Sequence, residues 1–219
     1  MTIVVEDNFD TLGEAVSLSG RTPSPTTAGF NWTVRNGTNI EGATGGGALK
    51  VAADGGGNPD QCGVDTGTVE QKVTATITNT TDSEGQISSR GSGGGQPANC
   101  YYYRFRTTTN VRQLRRRDSG VNTTLDATNM PSNTAGGDVM ALEVSGTGAT
   151  VTLKTYRNGV QIGSDFSDTS ANRKTTGSFA GLEHIGGSPV FDDFSVDNLA
   201  AGGGGGDRPK HLLMIGCGD

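Results

Sequence analysis

The fold is decided by the stretch that begins ATVTLKTYRNGVQ at residue 149 and ends at residue 199. Its apolar side chains at Val151, Leu153 and Tyr156 predict a strand whose inward face they form. After Arg157, the pair Asn158-Gly159 tolerates the positive φ that both central positions of a two-residue hairpin turn require. The stretch therefore predicts two antiparallel strands joined by a tight turn.

The same stretch closes on an apolar strand that contains acidic residues, Phe191-Asp192-Asp193-Phe194-Ser195-Val196. Elsewhere the apolar residues also fall in short alternating runs bounded by Gly, Asn, Asp and Ser. Alternation of this kind is typical of strands with one buried face. The chain therefore predicts about a dozen short strands in two packed antiparallel sheets, and no long run with helical periodicity competes.

Length and composition favour one domain with a tail. The chain has 219 residues, of which 36 are glycine. Sandwiches of roughly 200 residues commonly form one domain, so we expect a β-sandwich domain at 1–199. A glycine-rich linker is expected at 200–208 and a C-terminal attachment arm at 209–219. Within the arm, Leu212-Leu213-Met214-Ile215 have the length of a short strand suited to the sheet edge of a partner; packing on its own sandwich is the alternative.

Charge and hydropathy narrow the range of partners. A formal net charge of −6 should repel phosphate backbones and anionic membrane surfaces. No stretch of about 18 apolar residues predicts a membrane span. Residues 1–7 lack the basic and apolar regions of a secretion signal. We therefore expect neither nucleic acid nor a membrane as a partner, and synthesis without a signal peptide.

Three segments near the N-terminus give the chain a family resemblance. Asp7-Asn8-Phe9-Asp10, then Ser19-Gly20-Arg21-Thr22-Pro23, then a strand with Trp32 occur in the order found at the entry of concanavalin-like (laminin-G-like) jelly-roll domains. The likeness spans about Asp7 to Leu199. It implies an all-β, two-sheet antiparallel jelly-roll sandwich whose last strand pairs beside its first, followed by the flexible C-terminal arm.

The resemblance also implies a metal site. Many jelly-roll domains of this type hold one calcium ion near the junction of the first and last strands, through hard oxygen ligands. If the termini pair, Asp7, Asn8, Asp192 and Asp193 would meet there. The alternative is that these are ordinary polar residues beside inward-pointing phenylalanines. No other cofactor is expected.

The chain lacks the residue patterns of enzymes built on such sandwiches. Glycoside hydrolases need two carboxylates that face each other across a cleft, and no predicted strand has that pattern. Glu143 stands between apolar residues, and Glu183 with His184 lies in a glycine-rich region. His184 and His211 have no second ligand at a metal-binding spacing. We therefore expect a protein without catalytic activity.

Aromatic residues make up 5% of the chain, and a sandwich needs most of them for its core. Few aromatic faces are then left for the stacking on which many sugar sites depend. The residues expected in the core are Phe9, Trp32, Phe105, Phe179, Phe191 and Phe194.

An acidic chain that concentrates its arginines in one region predicts a docking surface there. Arginine forms bidentate pairs with carboxylates and is favoured at interfaces over lysine. Tyr102 would share a face with two of these arginines, and a Tyr and Arg patch suits either a glycan or a protein partner. A solvated outer sheet face is the alternative. The predicted partner-binding residues of the sandwich are Tyr102, Arg104, Arg106, Arg112, Arg115, Arg116 and Arg117.

The disulfide candidates Cys62, Cys100 and Cys217 are odd in number. A bridge between the first two needs a Cα separation of roughly 4.4 to 6.8 Å, which the sequence does not reveal, so bridged and reduced forms both stay open. Cys217 follows the linker and can reach another chain. An interchain disulfide and a plain thiol are the alternatives there.

These traits together resemble those of virion proteins of tailed phages. A Gly-, Thr- and Asn-rich jelly roll with an apolar arm that ends in a cysteine is similar to capsid decoration and tail-associated proteins. The resemblance implies a non-enzymatic structural protein of the extracellular particle, made in the host cytoplasm. It would dock on the major capsid protein or on neighbouring copies and form a homo-oligomer. The alternative is a carbohydrate-binding, lectin-like receptor-recognition module of a phage tail or secreted surface protein, with a glycan as its partner.

Overall fold

The computed structural model describes seven ranges of the chain: 1–25, 29–36, 40–51, 60–78, 84–92, 98–186 and 189–200. Every regular element in these ranges is a β-strand. No helix there is long and apolar enough to cross a membrane. The predicted arm at 209–219, and the predicted linker beyond residue 200, lie outside the described residues.

Sixteen strands follow one another along the described chain. In chain order they are β1 Thr2–Asp7, β2 Thr33–Asn36, β3 Ile40–Gly42, β4 Leu49–Val51, β5 Asp60–Asp65, β6 Gln71–Ile77, β7 Glu84–Ser92, β8 Asn99–Arg106, β9 Val111–Asp118, β10 Val121–Asn129, β11 Val139–Ser145, β12 Val151–Arg157, β13 Val160–Gln161, β14 Phe166–Asp168, β15 Phe179–Gly186 and β16 Val190–Asn198.

The strands form two antiparallel sheets. The nine-stranded sheet has the order β13-β12-β11-β6-β16-β4-β3, with β1 beside β16 and β14 beside β12. The seven-stranded sheet has the order β10-β9-β8-β7-β15-β5-β2. Each sheet therefore draws strands from both halves of the chain, and the last strand pairs beside the first. The predicted two-sheet antiparallel jelly-roll sandwich is confirmed.

The tight turn predicted at Asn158-Gly159 is present. β12 and β13 pair Arg157 with Val160 on either side of it. Asn158 has a φ of 53° and Gly159 a φ of 77°. Because both values are positive, the turn has the handedness that matches the twist of the strands it joins.

One residue of the predicted first strand points the other way. Val151 and Leu153 are fully buried, as predicted. Tyr156 lies on the outer face of the sheet, where its hydroxyl donates to Glu143 Oε2 at 3.0 Å. Side chains alternate along a strand, so Thr155 shares the inward face with Leu153. The prediction that Tyr156 points inward is wrong, because Tyr156 is an odd number of residues from Val151 and Leu153 and so lies on the opposite face.

The core lies between the two sheets and is built from alternating apolar residues. On β6, Val73, Ala75 and Ile77 are at most 1% exposed, whereas the residues between them are half-buried. Full burial of an aliphatic or aromatic side chain contributes about 1.5–3 kcal/mol. The period-2 pattern therefore both specifies the strand and supplies its stabilisation.

Most of the aromatic residues predicted for the core are there. Trp32 packs between Phe9 and Phe194, with ring centroids 5.7 and 4.8 Å away. Phe179 is the exception, because it alternates with the inward Ala180 and is half-buried on the opposite face of β15. The core members among the predicted set are Phe9, Trp32, Phe105, Phe191 and Phe194.

Candidate functional site

The seven-stranded sheet separates an apolar face from a polar one. On β8, Tyr101, Tyr103 and Phe105 point into the core, so the residues between them point outward. Strands β5, β7, β9 and β15 alternate in the same way. Their outward side chains form a surface that we name the polar face, and its members are Gln61, Glu84, Gln86, Ser88, Cys100, Tyr102, Arg104, Arg106, Gln113, Arg115, Arg117 and Glu183.

The strand register arranges these side chains in rows across the sheet. One row runs from Gln61 through Glu183, Gln86 and Arg104 to Gln113. Side chains at opposed positions of neighbouring strands are about 4.5–5.5 Å apart at Cβ and contact one another. The row is therefore a continuous line of amide, carboxylate and guanidinium groups.

The adjacent row begins with two glycines. It runs from Gly63 through Gly181, Ser88 and Tyr102 to Arg115. A Cβ on Gly181 would lie 2.2 Å from a carbonyl oxygen of β5, so the close approach of the two strands requires glycine. Both glycines are buried, so they serve the close packing of β5 against β15 and are not an open surface.

At one end of the polar face, two arginines hold Glu84. Arg104 Nη2 donates to Glu84 Oε2 at 2.6 Å, and Arg104 Nε pairs with the other oxygen. Arg106 Nε donates to Glu84 Oε2 at 2.5 Å. Burial raises the pKa of Glu84, but the hydrogen bonds and charges of Arg104 and Arg106 outweigh burial and hold that pKa below its ordinary value. The ionised carboxylate therefore fixes both guanidinium groups.

Next to Glu84 is a cleft of about 290 Å³, lined by Arg104, Arg106, Thr109, Val111 and Gln113. Arg104 Nη1 donates to Gln113 Oε1 at 2.9 Å, which fixes the cleft wall. The side chain of Arg106 is 44% exposed, so the cleft is open to solvent. Its volume is near the lower end of the roughly 300–1,000 Å³ usual for ligand sites. The cleft is the accessible entrance to the polar face.

Beyond the cleft, Tyr102 lies beneath two arginines. The guanidinium carbons of Arg117 and Arg115 are 5.0 and 5.6 Å from the centroid of its ring. Arg117 Nη2 reaches past this ring to donate to Glu183 Oε2 at 2.9 Å. The amide of Gln61 donates to the other oxygen of Glu183. The outcome is a buried, charged pair that covers a tyrosine.

Burial and charge together set the protonation states around Tyr102. Burial raises the pKa of Tyr102 to about 12, against the lowering effect of the Arg115 and Arg117 charges. Burial lowers the pKa of Arg117, but the charge and hydrogen bond of Glu183, together with the effects of Cys100 and Tyr102, outweigh burial and raise it. At neutral pH the polar face therefore presents a phenol that can donate and guanidinium groups that are charged.

Several buried atoms of the polar face have no hydrogen-bond partner in the described part of the chain. A buried polar group without a partner costs about 1–3 kcal/mol, so native proteins rarely leave several of them side by side. The packed side chains of the polar face therefore do not satisfy all of one another's donors and acceptors. These atoms are Gln61 Oε1, Gln86 Oε1 and Nε2, Tyr102 OH, Arg115 Nε and Arg117 Nη1.

The structure divides the predicted arginine cluster between two faces of the sheet. Side chains alternate on β9, so Arg112 and Arg116 point away from the polar face and are 1% and 6% exposed. Arg112 Nη2 lies 2.7 Å from Asp126 Oδ2, and Arg116 Nη1 lies 2.9 Å from Asp168 Oδ2. The prediction that these two arginines belong to an exposed docking surface is wrong, because internal carboxylates hold both.

Tyr102 shares its face with Arg104 and Arg106, as predicted. It is fully buried, however, and Arg117 is 1% exposed, because the side chains of the polar face pack on one another. The prediction of an exposed Tyr and Arg patch is therefore wrong for Tyr102 and Arg117. Of the predicted docking residues, Arg104, Arg106 and Arg115 remain at least partly accessible. The arm residues predicted to bind a partner, Leu212, Leu213, Met214 and Ile215, lie outside the described residues.

Cys62 and Cys100 are free, buried thiols, so the structure contains no bridge between them. Cys62 lies on β5 and Cys100 on β8, with β15 and β7 between them. Neighbouring strands are about 4.8 Å apart, so three intervals put the two residues beyond disulfide reach. Burial raises the pKa of both thiols, which stay protonated at neutral pH. Cys217 lies outside the described residues.

At the junction of β1 and β16, the carboxylate of Asp7 is already used. Trp32 Nε1 donates to Asp7 Oδ2 at 2.7 Å, and Arg21 Nη2 donates to Asp7 Oδ1 at 2.8 Å. The amide of Phe9 donates to the same Oδ1 at 3.0 Å. A calcium ion bound by Asp7 would have to displace these donors.

The other predicted calcium ligands are engaged locally. Asn8 Nδ2 donates to Asp10 Oδ2 at 2.6 Å, and Asp192 Oδ1 accepts from the Asp193 amide at 2.8 Å. Burial and the charges of Asp193, Asp10 and Asp7 raise the pKa of Asp192. Among the described residues, no group of three or more His, Cys, Asp or Glu side chains is arranged to hold a metal ion. Calcium binding stays a prediction.

The two carboxylates weighed for catalysis lie on opposite sides of the sandwich. Glu183 belongs to the polar face of the seven-stranded sheet and is paired with Arg117. Glu143 lies on β11 of the nine-stranded sheet, with Lys154 Nζ 3.3 Å from its Oε1. With the core between them, they cannot face each other across one cleft as a glycosidase pair must.

Three glutamines of the polar face were missed at the sequence level. Gln86 was detectable, because it is adjacent to the apolar Ile87 and neighbours in a strand point to opposite faces. Gln113 alternates with Leu114 in the same manner. Gln61 had no such signal, since β5 contains too few apolar residues to reveal its period.

Comparisons with known proteins agree with this fold. No family model and no curated protein matches the sequence. Among solved structures, the carbohydrate-binding module CBM66 from Bacillus subtilis is 15% identical, with a TM-score of 0.59 over 76% of this chain and 94% of that chain. A protein of unknown function with a galectin-like fold, also from Bacillus subtilis, is 10% identical, with a TM-score of 0.57 over 90% and 96% of the two chains.

A third similar structure belongs to a larger protein. A GH43 protein mutant from Bacillus licheniformis is 11% identical, with a TM-score of 0.56, and the match covers 88% of this chain but 39% of that chain. The likeness is thus to one part of that protein. At these identities the comparisons establish the fold, a galectin-like or concanavalin-like β-sandwich. The jelly-roll resemblance inferred from the sequence is confirmed at that level.

Proposed function

We propose that this protein is a non-catalytic, lectin-like domain that binds a glycan on the polar face. The observation that supports this is the open cleft of about 290 Å³ on that face, whose wall presents the guanidinium and amide groups of Arg104, Arg106 and Gln113. Sugar hydroxyls donate and accept hydrogen bonds, so they match amide and guanidinium groups at once. From the cleft, the outward face of β9 leads from Gln113 to the partly exposed Arg115.

The structural neighbours support this function over decoration of a virion. A carbohydrate-binding module has the same fold along nearly its whole length. The likeness to a GH43 protein covers a minor part of that chain and suggests no catalytic site here. Virion decoration relied on a docking surface of which Arg112, Arg116 and Arg117 are buried. A location on a virion, attachment through the arm and assembly into homo-oligomers stay predictions.

A glycan array with the full chain tests the proposal. We expect binding to a limited set of glycans and a loss of about tenfold or more in affinity for Arg106→Ala, since a hydrogen bond from a charged donor is worth about 1.5–3 kcal/mol. Glu84 keeps Arg104 as its partner in this variant, so the fold should survive.

Lys154→Ala is the matched control. Lys154 also pairs with a glutamate on a neighbouring strand, but on the nine-stranded sheet. It should bind like the native protein. A folded chain that binds no glycan, or one that loses as much affinity on Lys154→Ala as on Arg106→Ala, contradicts the proposal.

A further inference from the structure

The polar face has an excess of positive charge in a chain whose net charge is −6. Among its named members, four arginines stand against two glutamates, and Asp65, outward on β5, lies near a further arginine, Arg35. A local charge opposite in sign to that of the whole molecule attracts ligands that the rest of the surface repels. The charged members are Arg104, Arg106, Arg115 and Arg117 against Glu84 and Glu183.

Arg115 is the member of this set without an ion pair in the described part of the chain. Both glutamates are engaged by the other three arginines. The guanidinium of Arg115 lies near the Tyr102 ring, and its Nε is buried without a hydrogen bond. Arg117, whose guanidinium carbon is 5.0 Å from the centroid of the same ring, also has a buried nitrogen, Nη1, without a partner among the described residues.

Buried donors on charged groups are costly to leave unpaired. The free-energy cost of removing a charged group from water is offset only if an opposite charge or several hydrogen bonds replace the water. Neutral sugar hydroxyls could accept hydrogen bonds from Arg115 but would leave its charge uncompensated. An oxyanion with two acceptor oxygens satisfies both requirements, because guanidinium groups bind such ions through charge-assisted hydrogen bonds.

We propose that the glycan bound on the polar face is acidic and that its carboxylate or sulfate group pairs with Arg115, the partly exposed arginine of this face without an ion pair among the described residues. The proposal rests on the proposed function and names the class of its ligand. Gln113 of the cleft precedes Arg115 by two residues on the same face of β9, a distance of about 6.8 Å. A glycan that enters at Gln113 therefore reaches Arg115 with an adjoining part of the same molecule.

The test compares length-matched oligosaccharides in calorimetric titrations of the full chain: a polygalacturonate fragment, a chondroitin sulfate fragment and a neutral galactan fragment. We expect an acidic fragment to bind at least about tenfold more tightly than the neutral one, a factor equivalent to ~1.4 kcal/mol. The preference should shrink between about 50 mM and about 300 mM NaCl, because salt screens the attraction. Binding of the uronate alone or of the sulfate alone identifies the anionic group.

Variants at Arg115 isolate the anion contact. Arg115→Gln should remove the preference, so that the acidic and neutral fragments bind this variant with similar affinities. Arg115→Lys should restore part of the preference, since it keeps the charge but not the fork of donors. Lys154→Gln, which removes one positive charge from the other sheet, should leave every affinity unchanged.

Three outcomes overturn the proposal. If the neutral fragment binds as tightly as the acidic ones and Arg106→Ala weakens it, the ligand is a neutral glycan and the proposed function still stands. If Arg115→Gln binds the acidic fragment as tightly as the native protein, the anion is held elsewhere. If the folded chain binds no fragment of either class, both the acidic ligand and the proposed function fail.

Discussion

Two buried carboxylates of this sandwich have opposite surroundings. Asp7 accepts hydrogen bonds from Trp32, Arg21 and a backbone amide. Glu183 is equally buried and accepts from Arg117, but the groups around it retain unpaired atoms. The first cluster ties the N-terminal strand to the core and needs no further partner. The first cluster is closed on itself, whereas Glu183 belongs to the row of polar side chains that ends at the accessible cleft beside Gln113.

The largest effect should come from breaking the anchor. Asp7→Ala leaves Arg21 and the indole of Trp32 without their acceptor, so we expect a loss of about 3–5 kcal/mol in the free energy of unfolding, measured by chemical denaturation. The exposed Asp10 is the control, and Asp10→Ala should change stability by less than about 0.5 kcal/mol. A loss below about 1 kcal/mol for Asp7→Ala would show that this cluster is not an anchor.

We expect the fold to survive replacement of the buried Arg117–Glu183 pair on the polar face. Glu183→Gln alone leaves the buried Arg117 without an opposite charge, and we expect a loss of about 3 kcal/mol in the free energy of unfolding. Adding Arg117→Met should recover much of that loss, because buried ion pairs are often replaced by apolar groups at little cost. The double variant should fold yet bind glycan poorly. Strict additivity of the two single losses in denaturation experiments would contradict this account.

Acid should weaken the fold through a paired carboxylate on each sheet, Glu84 on β7 and Asp168 on β14. Burial raises the pKa of both. The hydrogen bonds and charges of Arg104 and Arg106 at Glu84, and the hydrogen bonds of Ser170, Tyr101 and Arg116 at Asp168, together outweigh burial and leave both pKa values below ordinary. Such groups stabilise the folded state fully above their unfolded pKa values, about 4.3 and 3.9. That contribution is lost as the pH falls through the lower folded values.

The free energy of unfolding, followed by denaturant titration at each pH, should therefore be level near pH 6 and fall below about pH 4. Unfolding free energies that stay constant to about pH 2 would mean that these carboxylates are not held as ion pairs.

The smallest effect should be a gain. Burial and neighbouring acids raise the pKa of Asp192, so its charged form is disfavoured in the folded state. Asp192→Asn should raise the free energy of unfolding at neutral pH by less than about 1 kcal/mol, given the screening of a partly exposed group. The gain should vanish below about pH 4, where the unfolded-state carboxyl is also protonated.

The same variant tests the calcium prediction. Calcium that raises the thermal unfolding midpoint of the native protein, but not of Asp192→Asn, would establish an ion at this acidic cluster. An equal response of both proteins would exclude Asp192 as a ligand.

The fold was largely accessible from the sequence because its strongest signals are local. Alternation along β6 and β12, and two positive φ values at Asn158-Gly159, are properties of a few adjacent residues. β10 escaped prediction because it is an edge strand whose residues are mostly exposed, with no apolar period to detect. β5 escaped for a related reason, since glycine replaces an outward side chain at Gly63.

The candidate site was accessible in part. Tyr102, Arg104 and Arg106 share a face because of strand alternation, and that needed only the sequence. The pairing of Arg117 with Glu183 needed the strand order, which brings residues 66 positions apart together. Charge clustering in sequence was misleading on β9, because adjacent arginines in a strand necessarily point to opposite faces.

The central claim is that the outer face of the seven-stranded sheet binds the glycan. Backbone amide NMR of the full chain, titrated with the tightest-binding oligosaccharide from the array, tests it directly. The account predicts that the largest shift changes lie on β7, β8, β9 and β15, centred near Tyr102 and Gln113. Saturable shift changes confined to the nine-stranded sheet, or to residues around Asp7, would contradict it.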